Sequence, residues 1–342
     1  MRSLVTIQSV SEVKPIQGAD FIELVVIKGW QCVAKKGEFK PGDLCVYFEV
    51  DSYLPIDERF EFLRKTSYRN NDYMGEGFRV KTAKFRGEIS QGLALPVSAC
   101  PEASGCADGA DVTDILKVRK WEMPEQVGNA GITIGDRPFG IPATDEMRIQ
   151  SMPEFLEHFI GKPYYISTKM DGTSCTVYVK DGKVGVCGRN GEYKEDTETC
   201  SMWAYVYKNN LKEKLISLGE DIALQAEFCG AGIQKNRLRL FEPDLYVFDL
   251  IKIGDGDRLK KCGLDEILSY CDKLGIKSVP IEETGDSFSY TLPELIERAK
   301  GKYASGLDKE GIVVRTREYG RVGNDKLSFK VINNDFLARE SD

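Results

Sequence analysis

The chain has 342 residues, 42% of them hydrophobic and 10% aromatic, enough for about two ordinarily packed domains and too apolar for a chain dominated by disorder. No apolar run approaches the ~18 residues of a membrane span, the start Met1-Arg2-Ser3-Leu4-Val5-Thr6 lacks a secretory core, and the ten cysteines contain no CxxC pair. A closed zinc or thioredoxin-type site is thereby excluded, and the thiols read as reduced core residues of an intracellular protein. A net charge of −7 and a lone histidine, His158, exclude polyanion binding over the whole surface and a histidine-rich metal site, though not a local basic groove.

In chain order, residues 21–27 and 30–34 read as strands joined through Lys28-Gly29, with Gly29 as the turn residue. Pro41-Gly42-Asp43 turns the chain into an apolar run over 44–50, and 78–95 adds strand-like sequence broken at Gly87 and Gly92. Short strands with Gly and Pro turns predict a small OB-like barrel. Residues 97–147 are crowded with Gly and Pro and predict a connecting region with a strand or two. Beyond Met152 helices and strands alternate. Helices are expected at 153–160, 195–218, 264–274 and 292–299, and strands at 164–169, 173–179, 223–228, 245–251, 311–316 and 326–332. The fold class is α+β: an OB-like N-terminal domain over 1–125, a linker over 126–143, and a second domain with antiparallel sheets over 144–342.

Phosphate-loop chemistry is excluded first. The Gly-Lys pairs at 161–162, 182–183 and 301–302 lack the earlier glycine and the following Ser or Thr of a Walker A loop. A dinucleotide fingerprint and a G-x-S-x-G elbow are also missing. What remains is Lys169-Met170-Asp171-Gly172, placed where one predicted strand turns into the next. A lysine is a nucleophile only when neutral, and its ordinary pKa is about 10.4. Burial, cationic neighbours or a metal must lower that value, and Gly172 lets the backbone approach a ligand. Alone, such a tetrapeptide is more often a turn than a site.

Its companions change the balance. Glu310 stands at the mouth of the apolar run 311–315, and Lys326, Ser328 and Lys330 share one face of the next strand. Two lysines on a core-like strand are costly unless they meet an anion or reach water. Glu227 ends one predicted strand, Tyr246 and Phe248 share a face of another, and Arg189-Asn190 follows a third. Each alone is ordinarily a solvated strand end or a core aromatic. Their order is not ordinary.

These segments resemble the motifs of the covalent nucleotidyltransferases: ATP-dependent DNA and RNA ligases and mRNA capping enzymes. Lys169 to Gly172 resembles motif I, Arg189-Asn190-Gly191 motif Ia, Glu227 motif III, and Tyr246 to Asp249 motif IIIa. Glu310 to Arg315 resembles motif IV, and the strand with Lys326 and Lys330 motif V. Motif V is usually Lys-x-Lys, whereas Ser328 stands two before Lys330 here; the residues alone do not assign the phosphate contacts between Lys326 and Lys330. Ligases acting on DNA and capping enzymes carry an OB domain after motif V, but only 12 residues follow Lys330 and the extra domain lies in front. That order, with segments 37–43, 79–92 and 144–150, resembles nick-sealing ATP-dependent RNA ligases with an N-terminal OB-like domain.

The resemblance implies that Lys169 attacks the α-phosphorus of ATP to give a lysyl-AMP, that the AMP passes to a 5′-phosphate of RNA, and that a 3′-OH then closes the strand. It makes 144–342 the adenylyltransferase domain and the substrate an RNA, expected as a nicked duplex. Phe248 is expected to stack on adenine, with Thr168 at its edge; Glu227 and Arg189 to meet the ribose; and Lys326 and Lys330 to hold the α-phosphate. Asp171, Gly172 and Arg148 complete the nucleotide contacts. Asp171, Glu227 and Glu310 are expected to hold Mg²⁺ or Mn²⁺ through water. Lys84 and Arg86, with Arg148, are candidates for triphosphate or RNA contacts. The alternatives are a DNA or mixed RNA–DNA ligase and an inert OB-containing nucleic-acid-binding protein. Cytoplasm, nucleus and organelle stay open, as do oligomeric state and protein partners.

Overall fold

The computed structural model describes residues 3–122, 131–323 and 325–340. They divide into two units, one of residues 3–122, 150–153 and 337–340, the other of residues 131–149, 154–323 and 325–336. No helix among the described residues is long and apolar enough to cross a membrane.

The first unit is built of short antiparallel strands. Leu44–Phe48 lies between Val5–Ser9 and Leu93–Pro96, and Glu12–Pro15, Ile22–Ile27 and Trp30–Lys35 form a meander. Alternation along Trp30–Lys35 buries Trp30, Cys32 and Ala34 on one face, where they meet Val25, Phe39 and Tyr47. The turn at Lys28-Gly29 differs from expectation in one respect. Lys28, not Gly29, adopts the left-handed backbone, with φ of 53°. Lys84 and Arg86 lie exposed at the tip of the hairpin Thr82–Phe85/Glu88–Gln91.

The second unit carries two sheets. In one, Thr173–Lys180, Ile222–Cys229 and Asp244–Ile253 are central, and Ser201–Lys208, Leu211–Ser217 and Leu264–Leu274 cover one side through Trp203, Val206, Leu215 and Ile267. In the other, the order is Met147–Arg148, Ser328–Ile332, Gly311–Thr316, Tyr164–Lys169 and Ile281–Gly285. Its inner side chains Ile166, Ile312, Val314 and Phe329 are fully buried with Phe159 and Phe288. Those alternating apolar positions turn Ser167, Lys169, Val313 and Lys330 to the opposite face.

Three expectations are corrected. The helix expected over 195–218 is two shorter helices, because Asn210 takes a left-handed conformation, with φ of 51°, between them. The strand expected over 326–332 breaks at Leu327 into Asp325–Lys326 and Ser328–Ile332. Residues 131–143, expected as a linker, pack into the second unit: Thr133–Gly135 pairs with Glu192–Tyr193, and Arg137 donates to the Gly188 carbonyl and Thr176 Oγ1 at 2.7 Å each. A Gly- and Pro-rich stretch reads as loose, but one half-buried guanidinium with fixed acceptors fastens it. The remainder of that linker, 126–130, lies outside the described residues.

Candidate active site

Lys169 is the last residue of its strand and stands opposite Gly311 in antiparallel register. Gly311 has φ of +149°, and a Cβ there would come within 2.1 Å of the Val331 carbonyl, so only glycine fits. This close approach brings Glu310 beside Lys169, with Nζ and Oε2 2.6 Å apart and each side chain 20% exposed. The Tyr303 hydroxyl donates to the Lys169 carbonyl at 2.7 Å and accepts from the Glu310 N–H at 3.0 Å, tying the two strand ends together. Gly172 lies tight against the next sheet, where a Cβ would meet the Phe228 carbonyl at 2.4 Å. Its N–H helps hold the Glu227 carboxylate. Asp171 pairs with Arg237 at 3.3 Å.

The charges are out of balance. Burial pushes the Lys169 amine down, yet the carboxylates of Glu310, Glu227 and Asp171 outweigh it, and its pKa ends above the usual lysine value. In this state the amine is charged. Burial pushes Glu227 up to about 7, against the pull of Lys169. It also raises Asp171, with the Glu310 charge adding to the effect. Lys330 moves the other way, down to about 7, through burial and then the charges of Lys169 and Arg148. Arg148 stands beside Lys330 in the parallel register of Met147–Arg148 with Ser328–Ile332. Two groups poised near neutrality around one lysine are what a proton-dependent transfer requires.

Among the described residues no three acidic, cysteine or histidine side chains gather closely enough to ligate one metal ion directly. The carboxylate surplus around a single ammonium nevertheless fits a hard divalent cation that keeps part of its water shell.

Other expected residues fall elsewhere. Thr168 points away from Lys169, its hydroxyl donating to Glu282 at 2.8 Å. Glu282 also binds Lys309 at 2.6 and 2.8 Å and Arg298 at 3.0 Å, so it braces the residues preceding both Lys169 and Glu310. Lys326 is not gathered with Lys330. Its amine meets Glu146 at 2.9 Å, where Arg315 donates at 2.8 Å and Ser328 at 2.6 Å. Strand alternation put Lys326 and Lys330 on one face, but the buried Glu146 captures the first. Arg315 lies over the Phe248 ring at 5.4 Å. Phe248 is the extra residue of a bulge, since Gln225 faces Asp249 while Ala226 faces Val247, and bulges of this kind re-aim a side chain. Arg189 is half exposed and pairs with Asp145 at 3.5 Å. Sequence reasoning missed Tyr303, Glu282 and Glu146; only the last lay inside a segment it had singled out.

Two mostly antiparallel sheets presenting a lysine amid carboxylates and a second lysine make the second unit a ligase-type nucleotidyltransferase domain. An RNA ligase family model matches residues 162–332, and an OB-fold domain model matches residues 4–97. A structure of Naegleria gruberi RNA ligase, a lysine-to-alanine mutant with ATP and Mn, is 36% identical with a TM-score of 0.88, covering 99% of this chain and 100% of its own. A glutamate-to-alanine mutant of that ligase with ATP and Mn is 37% identical with a TM-score of 0.88, covering 100% of both chains. The same ligase with pyrophosphate is 36% identical with a TM-score of 0.87, covering 99% of both. No curated protein sequence matches the chain. The chain belongs to the RNA ligase family, and its N-terminal unit is an OB-fold domain.

Proposed function

We propose that the chain is an ATP-dependent RNA ligase that seals 3′-OH and 5′-phosphate ends at nicks in a duplex through a lysyl-AMP intermediate. The observation that carries this reading is the Lys169 amine, held at a strand end by Glu310, ringed by Glu227 and Asp171 and backed by Lys330. The likeness to a ligase structure with ATP and Mn supports the nucleotide and the cation.

In the first step the Lys169 amine gives up its proton to the paired Glu310 carboxylate and attacks the α-phosphorus. A P–N bond forms, the bond to the bridging oxygen breaks, and pyrophosphate leaves with the electron pair. Lys330 and Arg148 meet the charge of the α-phosphate, a task of positioning and neutralisation. Phe248 takes the adenine face, and Arg189 and Glu227 take the ribose. Asp171, Glu227 and Glu310 would hold a divalent cation, which supplies a lower amine pKa and balances phosphate charge. A 5′-phosphate oxygen of RNA then displaces Lys169, which recovers its proton as the P–N bond breaks. The 3′-OH finally attacks that phosphate, losing its proton to water, and AMP departs with the electron pair of the broken P–O bond.

The test is covalent labelling. With α-labelled ATP and Mn²⁺ the chain is expected to carry label through denaturing electrophoresis, and Lys169→Ala to carry none. Equal labelling of the variant overturns the assignment. Sealing assays on nicked, gapped and single-stranded RNA, with DNA counterparts, test the substrate.

A further inference from the structure

The catalytic reading leaves unexplained the loop over 230–243, which follows the strand ending at Cys229. Within it Gln234, Asn236 and Arg239 all adopt left-handed backbone, with φ of 46°, 43° and 53°. Three such residues in one short loop are costly and persist only where the surroundings impose them, a pattern concentrated at functional sites. The surroundings here do impose them. The Asn236 side chain donates to the Leu240 carbonyl at 2.9 Å and accepts from its N–H at 3.1 Å. The Ser305 hydroxyl donates to the Arg237 carbonyl at 2.6 Å, and the Arg237 guanidinium lies 4.6 Å from the centre of the Phe336 ring while its Nε pairs with Asp171.

This fixed loop holds Phe241 out at 99% exposure, the most exposed large hydrophobic side chain among the described residues. Lys235 and Arg239 are exposed near it in sequence, and Lys235 also faces the Asp171 carboxylate. The acids that follow are already neutralised, Glu242 by Lys208 at 2.6 Å and Asp244 by Lys277 at 2.7 Å. The loop is therefore net positive on a chain of net charge −7. It is also joined through Arg237 to the residue two beyond Lys169. An exposed aromatic ring with flanking cations is the composition that binds nucleic acid by stacking and phosphate contact.

We infer that residues 230–243 dock the RNA at the ligation site, Phe241 stacking on a base and Lys235 and Arg239 meeting flanking phosphates. The inference rests on the RNA ligase reading and deepens it. Its test separates RNA-independent labelling by ATP from the steps that need RNA. Phe241→Ala and Arg239→Ala are expected to label like the wild type. Affinity for a fluorescent nicked RNA duplex is expected to fall about tenfold for Phe241→Ala and to return in Phe241→Trp. The KM for the nick rises in parallel, with kcat little changed. For Arg239→Ala the slope of log affinity against log salt is expected to shrink by about 0.7–0.9, the value for one phosphate contact. RNA affinity and salt slope unchanged in both variants overturn the proposal. If the wild type takes no label from ATP, the ligase reading fails, while the RNA-binding measurement still decides the role of the loop.

Discussion

Two clusters on one sheet face use the same ingredients with opposite results. Around Glu146 one carboxylate faces two cations: burial opposes its ionisation, but Arg315 and Lys326 prevail and hold its pKa down at about 2. Around Lys169 three carboxylates face one ammonium, with Lys330 behind. Glu227 is pushed up to about 7, Lys330 down to about 7, and Lys169 stays charged. The first cluster is satisfied and reads as structural. The second is left unsatisfied until further charge arrives, which is what a site for an anionic substrate and a cation needs.

The sharpest way to break that contrast is to unbalance the satisfied cluster. Glu146→Gln leaves Arg315 and Lys326 buried without their acid, and removing one partner of a buried pair costs about 3–5 kcal/mol. Because the folded pKa of Glu146 lies below its ordinary 4.5, its contribution is whole above about pH 4.5 and is lost as pH falls toward about 2. Urea unfolding at pH 7 is expected to show the full loss, and the gap from wild type is expected to close through that acidic window. A variant as stable as wild type at pH 7 would make the cluster dispensable.

The unsatisfied cluster predicts the reverse sign. Lys330 has a folded pKa of about 7, below its ordinary 10.5. Its burial as a cation therefore destabilises fully below about pH 7, and the penalty fades as pH rises to 10.5. The whole shift corresponds to about 5 kcal/mol, and the half-buried position of the side chain reduces this to about 2–3 kcal/mol. Lys330→Met is expected to stabilise the ligand-free protein by that amount at pH 6 and by much less at pH 10, while lowering the rate of covalent labelling at least 100-fold. Thermal melts across pH check the first effect, and labelling time courses the second. A destabilised variant would show that Lys330 is a structural cation like Arg315.

The part of this arrangement legible in the sequence is the part carried by one strand at a time. The strand Tyr164–Lys169 and the helix Leu264–Leu274 fall where apolar periodicity places them, and ordered motifs single out Lys169, Glu227, Glu310 and Lys330. Partnerships across the fold are not legible. Glu146 meets Arg315 and Lys326 across more than 160 residues, and Glu282 meets Thr168 across 114. Nor does period-two alternation reveal that Lys326 is captured by an acid while Lys330 is left beside Lys169.

The smallest expected effect concerns Tyr303, whose hydroxyl joins the strand ends that carry Lys169 and Glu310. Tyr303→Phe keeps the ring in its apolar surroundings and removes two hydrogen bonds, leaving a backbone N–H and a carbonyl to find other partners. The stability cost is expected at about 1–2 kcal/mol. Looser strand ends are expected to lower the labelling rate about tenfold at saturating ATP with little change in KM, since the Tyr303 hydroxyl bonds the backbone of Lys169 and Glu310. Burial pushes the Tyr303 hydroxyl well above its ordinary pKa, so it stays protonated over the working range. The pH profile of the variant should therefore run parallel to that of wild type. A profile whose midpoint moves would mean that this hydroxyl helps set the protonation of Lys169 and does more than hold the two strand ends in register.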